Sequence, residues 1–268
     1  MENTIIEWIQ QILDSINSLG IDGSLSQGLQ QYNSSIFQGV KTICSTITFP
    51  IGLAIMALFV ALEFINITQR SNMNGLMGLE VPSKLIIKFM ICSVLLQNSF
   101  DILVKIFDIN LAVISDISLG ANQTFGSVDL DSFKQSLKDV GFLGQIGISM
   151  QIFIIWVINS LAMLYIKVMI TVRMLELYLY LAICPIPIST LPSDEFGQIG
   201  KNFLKGYTAV ALQGVLIFLL LNFLTMLIGH IGGNDISDTL WQCMFYSVIV
   251  AFALGGTSRL AKSICNAM

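Results

Sequence analysis

V-M-I-T-V-R-M-L-E-L-Y-L-Y-L-A-I-C-P-I-P-I-S-T-L-P-S-D-E-F-G-Q-I-G-K-N-F-L-K-G, residues 168–206, is the stretch that decides the fold. Residues 168–191 are almost wholly apolar, yet Arg173 and Glu176 stand among them. Pro185, Pro187 and Pro192 then break the run. A polar loop with Lys201 and Lys205 follows, and Tyr207 opens a new apolar segment. Charges inside an apolar segment and a proline-broken helix end are costly in lipid. Chains keep them where they face protein or a water-filled path. The rest of the sequence reads as scaffolding around this element.

Composition agrees with a membrane protein. Of 268 residues, 54% are hydrophobic and only 11% charged, against about 25% charged in soluble domains. A spanning helix needs about 20 apolar residues, and a spanning strand about 10 that alternate. The apolar runs here are long and do not alternate. The expected fold is therefore all-α: a polytopic helical membrane protein with about five transmembrane helices, one of them unusually long and Pro-terminated.

Several function classes fall away. A net charge of −4 does not hold nucleic acid by charge alone. The five cysteines, Cys44, Cys92, Cys184, Cys243 and Cys265, are odd in number and form no CxxC. Most lie in apolar runs and read as free thiols packed like small hydrophobes. His230 is the single histidine, so no metal or haem ligand set is expected. There is no P-loop, HExxH, G-x-S-x-G or acid pair set around a histidine. No enzyme and no cofactor are expected. Glu2 and Glu7 occupy the place of a basic leader region, so no cleavable signal peptide is expected.

In chain order, residues 1–20 carry Ile5, Ile9, Ile12, Ile16 and Leu19 at helical steps. This amphipathic helix lies on the membrane, on the protein's own body, or in an oligomer contact. A glycine-rich link follows. The first span is expected over 46–67, with Pro50 in its first turn. The second is expected over 83–107. There Lys84, Lys88, Asn98, Asp101 and Lys105 fall in one sector of about 140° if each residue turns about 100°. Asp101 and Lys105 are an i,i+4 pair in the favourable order. Two readings stay open: lysines snorkelling at the span ends around one local ion pair, or a stripe facing a pore or partner.

A polar connection over 108–145 contains a short helix at 129–140. The third span starts near Ile146 and meets no proline until Pro185. At about 57 Å it outruns a hydrocarbon core of about 30 Å, so either two spans meet at an unmarked turn or, as the charge bias favours, one long helix has a second half that protrudes or lies at the interface. Arg173 and Glu176 are either a self-neutralising pair or a contact to a partner or pathway. The prolines end the helix and set an extended exit. The fourth span, 207–228, carries Gln213 and Asn222 as possible interhelical links. The fifth covers 240–257, with Trp241 and Tyr246 near its start.

Basic residues near span ends favour the cytoplasmic side. With the N-terminus outside and the C-terminus inside, Arg70, Lys84, Lys167, Arg173, Lys201, Lys205, Arg259 and Lys262 fall inside. Lys41, Lys134 and Lys138 fall outside. The resulting organisation has four parts. Residues 1–45 are an extracytoplasmic helix and linker, and 46–107 the first two spans. Residues 108–145 form an extracytoplasmic loop. Residues 146–268 hold the remaining spans with a cytoplasmic Pro/Lys loop at about 185–206.

The runs R-M-L-E-L-Y-L-Y-L-A-I-C-P-I-P (173–187) and F-G-Q-I-G-K-N-F-L-K-G-Y-T-A-V-A-L-Q-G (196–214) resemble the TrbL-like family. These are polytopic inner-membrane components of type IV secretion and conjugative transfer systems. The resemblance implies a non-enzymatic channel or platform subunit in the bacterial cytoplasmic membrane. It implies a homo-oligomer that meets other secretion-system membrane subunits and ATPases. It also implies passage of single-stranded DNA with its relaxase, or of effector protein. Candidate pathway or partner contacts are then Lys84, Lys88, Asn98, Asp101, Lys105, Arg173, Glu176, Pro185, Pro187, Lys201, Lys205, Gln213 and Asn222. Two alternatives come from other classes. A small-solute transporter would show an internal repeat and helices broken at the bilayer midplane. An exporter permease would need a cytoplasmic coupling helix, for which residues 196–206 are suited.

Overall fold

The computed structural model describes residues 7, 8, 10, 11, 27–73, 80–120, 142–229 and 236–267. Among them every regular element is helical. The order is α1 (Leu29–Tyr32), α2 (Ser34–Ile43), a π-helical turn (Cys44–Thr48), α3 (Phe49–Met73), α4 (Glu80–Gln97) and α5 (Ser99–Gly120). Then come α6 (Phe142–Ile183), α7 (Pro185–Ile188), α8 (Gly197–Gly229) and α9 (Ile236–Ile264). Four stretches are long and apolar enough to cross a membrane: Ser34–Asn66, Ile146–Ile183, Gly197–Phe223 and Met244–Ile264. A fifth crossing exists only as the pair α4 and α5, bent by 67°. The chain is an all-α polytopic membrane protein.

Local chemistry explains the element ends. Asn33 caps α2, its side chain accepting from the Ile36 N–H at 3.0 Å. α6 is 42 residues long, about 63 Å of helix, because no proline or glycine interrupts it after Gly147. It is one continuous helix ended at the proline pair, as its sequence predicts.

Five expectations are corrected. The second span is not one helix: it breaks at Asn98, between α4 and α5. The polar connection does not begin at Asp108, since α5 runs to Gly120. Residues 29–32 and 34–45 are helical rather than a linker, with Asn33 extended between them. The exit from α6 is not extended. Cys184 is helical at φ −55° and ψ −34°, and Pro185 opens a further helical turn, where its missing N–H leaves no bond unmade. Residues 197–206 are not loop: α8 starts at Gly197, so Lys201 and Lys205 lie on its first turns. The expected short helix at 129–140 lies outside the described residues. So does most of the N-terminal helix, and so does His230.

The chain divides into two compact units. The first comprises Met1–Ser26, Val113–Val172 and Gly214–Ser258. In it Trp8 packs on Phe153 and Trp156 with ring centroids 5.4 and 6.4 Å away. The Trp156 indole N–H donates to Gln11 Oε1 at 2.9 Å. At these positions the N-terminal segment rests on the protein's own body. Ile158, Leu161 and Tyr165 of α6 and Val248 and Phe252 of α9 line an apolar cavity of about 330 Å³.

The second unit comprises Gln27–Ala112, Arg173–Gln213 and Arg259–Met268. Its core includes Leu96, Leu103, Met174, Leu177, Leu181 and Tyr207, each fully buried. Three contacts fix the course of the proline segment within it. The Thr48 hydroxyl donates to the Ala182 carbonyl at 2.9 Å. Gly52 abuts Pro185, and the Phe59 and Phe196 rings lie 5.2 Å apart. Residues 182–196 therefore follow residues 48–59 in the same direction for about 17 Å. At these contacts the end of α6 and the proline segment pack beside residues 48–59. Arg173, inside this bundle, cannot be counted among loop charges that orient the chain.

Candidate functional site

Three helix interruptions converge in the second unit. The first is at Pro185, which offers no N–H to the preceding turn and whose ring clashes with it. The second is at Asn98, whose Nδ2 donates back to the Val94 carbonyl at 2.8 Å. The third is the π-helical turn, where the wider helix turns Cys44 and Thr48 inward; both are buried. The three meet at Cys184. Its sulfur lies 3.8 Å from the Cys44 sulfur and donates to the Ser99 hydroxyl at 3.5 Å. All four described cysteines are free thiols.

The irregular run 184–193 is buried or half-buried throughout. Buried backbone must find partners, and hydroxyls supply them. Ser189 donates to the Ile186 carbonyl at 2.6 Å. Thr190 donates to the Pro187 carbonyl at 2.8 Å and accepts from the Gly200 N–H at 3.1 Å. The Ser193 hydroxyl accepts from the Phe196 N–H at 3.2 Å, which starts α8. Two glycines allow the close fit. A Cβ on Gly52 would stand 2.8 Å from the Pro185 carbonyl oxygen, and one on Gly200 2.7 Å from that of Pro187.

Arg173 sits one helix segment earlier and is 1% exposed. Its Nε donates to the Val210 carbonyl at 3.1 Å and its Nη2 to the Ala211 carbonyl at 3.2 Å. The guanidinium lies over the Phe107 ring, 5.7 Å from its centroid, a cation–π contact. Nη1 is buried without a hydrogen-bond partner. Arg173 thus ties α6 to α8 and α5, a fork that lysine does not reproduce. Next to it the Tyr207 hydroxyl donates to the Leu103 carbonyl at 2.7 Å. Tyr180 packs on Tyr207 with centroids 5.9 Å apart.

The expected pair with Glu176 does not form. Glu176 is half-buried one turn on, and the ion pair closer than 4.0 Å among the described residues joins Lys88 to Asp194. Lys88 on α4 is thereby separated from Asp101 and Lys105, which are exposed on α5. The single stripe read from the sequence is split by the break at Asn98. Lys84 belongs to α4, but its side chain lies outside the described residues. Pro185 and Pro187 occupy the site itself. Lys201 is exposed and Lys205 half-buried on α8. Gln213 is buried, and Asn222 Nδ2 donates to the Phe218 carbonyl at 2.9 Å. Sequence reasoning missed Cys44, Thr48, Ser99, Ser189, Thr190 and Tyr207. The hydroxyl cluster between prolines was the readable signal.

Among the described residues no group of three or more His, Cys, Asp or Glu side chains is placed to hold a metal ion. What the arrangement offers is mechanical: interrupted helices held by side-chain bonds at one buried point.

No curated protein and no solved structure matches the chain. The family model described as TrbL/VirB6 plasmid conjugal transfer like protein matches residues 17–185. That region takes in the π-helical turn, the α4–α5 break, Arg173 and the first proline of the site. The run 196–214 that contributed to the resemblance lies beyond it. With well over half its length matched, the chain belongs to the TrbL/VirB6 plasmid conjugal transfer like family.

Proposed function

We propose that this protein is a non-enzymatic channel or platform subunit of a type IV secretion machine in the bacterial cytoplasmic membrane. It helps single-stranded DNA with its relaxase, or effector protein, to cross. Family membership makes it a conjugal-transfer component. The observation that supports the finer role is the convergence of three interrupted helices on Cys184 beside the buried Arg173. Ionisable groups inside membrane bundles mark substrate pathways. The polar residues at this joint bond backbone carbonyls and one another, which suits positioning and gating rather than bond-making. The orientation goes with this reading: N-terminus outside, C-terminus inside, with Lys201 and Lys205 towards the cytoplasmic ATPases. Its partners are the other membrane subunits of the machine, the ATPases and further copies of itself.

The exporter-permease alternative rested on a separate coupling helix at 196–206. Residues 197–206 are instead continuous with the apolar α8, which removes that support. The test is in-cell crosslinking followed by purification in mild detergent and mass spectrometry. Recovery of secretion ATPases and other transfer subunits in a multi-copy particle is expected. A small fixed-ratio complex with one nucleotide-binding subunit would overturn the reading.

A further inference from the structure

We propose that the exposed face of α5 bearing Asp101, Lys105 and Asp108 is a self-association surface whose partner is a second copy of this chain. The inference rests on the oligomeric-subunit reading above and assigns the contact within it.

α5 has two distinct faces over its part in the second unit. One carries Leu103 and Phe107, fully buried, and Phe100, whose ring lies 5.5 Å from that of Phe37. The other carries Asp101, Lys105 and Asp108, all exposed. At about 100° per residue these three fall within about 60° of one another, opposite Leu103 and Phe107. None makes an ion pair within 4.0 Å with a described residue. This helix is half of a candidate membrane crossing. Charges on such a segment do not face lipid; they face protein or water.

The pattern selects between those two. The order acid–base–acid at one-turn steps is self-complementary: the lysine of one copy can meet an aspartate of the next. A water-filled lumen fits less well. Two acids to one base repel a nucleic-acid backbone from a lumen wall.

The experiment uses the full chain, expressed in membranes and extracted in mild detergent or polymer discs. Oligomeric state is read by crosslinking and native mass spectrometry. Lys105→Glu should shift the oligomer strongly towards monomer. Adding Asp101→Lys and Asp108→Lys to it should restore the oligomer, because the stripe is again alternating with every sign reversed. A charge reversal on the split-off side, Lys88→Glu, should leave the oligomer intact. An unchanged oligomer in Lys105→Glu overturns the proposal, and so does an assembly in which position 105, as cysteine, reacts fully with a membrane-impermeant maleimide. A wild-type chain that stays monomeric after in-membrane crosslinking also overturns it. Co-purification of transfer subunits with Lys105→Glu shows separately whether the secretion role survives when this surface fails.

Discussion

At the scale of single residues, the two close-packed glycines and the buried arginine make different predictions. Gly200→Ala puts a methyl group 2.7 Å from the Pro187 carbonyl oxygen, and Gly52→Ala one 2.8 Å from that of Pro185. Backbone cannot move aside cheaply, so each should destabilise by about 1–3 kcal/mol. Gly39, whose surroundings are open within 4 Å, is the control: Gly39→Ala should be neutral or stabilising by up to about 1 kcal/mol on helix propensity. Thermal unfolding in detergent, followed by tryptophan fluorescence, ranks the three. Equal melting of Gly200→Ala and Gly39→Ala would contradict the packing. For Arg173 the stability effects oppose one another. Replacing this lone buried charge by an apolar side chain of similar reach removes its desolvation cost together with two hydrogen bonds worth about 1.5–3 kcal/mol each, so the opposing effects are of similar size. Arg173→Met should therefore fold about as well as the natural chain and yet fail to support conjugative transfer. Arg173→Lys keeps charge but loses the two-carbonyl fork, and should melt lower. A stable Arg173→Met that transfers normally would make this arginine a packing residue only. The importance of Arg173 was legible in the sequence because a charge stood in an apolar run. Its partners were not. The i,i+3 spacing to Glu176 suggested a pair, whereas two main-chain carbonyls of α8, 37 and 38 residues away, outcompete it. Main-chain acceptors leave no trace in side-chain patterns.

At the scale of elements, length and interruption had different legibility. α6 could be read as one helix because nothing between Gly147 and Pro185 breaks it. The break after α4 could not, because Q-N-S holds no proline or glycine. What marks it in the structure is a tertiary contact, Ser99 at the start of α5 meeting Cys184. The proline exit failed for a related reason. The residue before proline avoids the helical region on local sterics, but Pro185 at the first position of a new turn is equally well satisfied, and Gly52 and Gly200 receive that turn. The joint between these elements can be probed at Thr48, whose hydroxyl donates to the Ala182 carbonyl. Thr48→Val keeps the shape, removes the bond and should lower stability by about 0.5–1.5 kcal/mol, or more if the carbonyl stays dry. Asp194→Asn breaks the ion pair that joins Lys88 of α4 to the proline segment. Because the Asp194 side chain is 70% exposed, that pair is worth about 0–1 kcal/mol. Its melting point should barely move and should not respond to salt. A drop as large as that of Thr48→Val would show that the joint is held by charge and not by its buried hydroxyl.

At the scale of the whole molecule, the charge bias of the loops and the contacts of the second unit bear on one question, which end faces the cytoplasm. The loop count was weakened by Arg173, which is buried and orients nothing. The contacts add an independent constraint. Residues 182–196 descend beside residues 48–59, and Asp194 at their far end pairs with Lys88 on α4. Glu195 and Ser83, both exposed, must then lie towards the same side of the membrane. In a background with all five cysteines replaced by alanine, single cysteines at 83 and 195 separate the cases. With a membrane-impermeant maleimide on intact spheroplasts, 83 and 195 should stay unlabelled and react only after lysis. Labelling of 83 and 195 together from outside would keep the fold and reverse the orientation, turning Lys201 and Lys205 away from the ATPases. Labelling of 83 and 195 from opposite sides would contradict the parallel course of the proline segment, and with it the joint on which the transfer role depends.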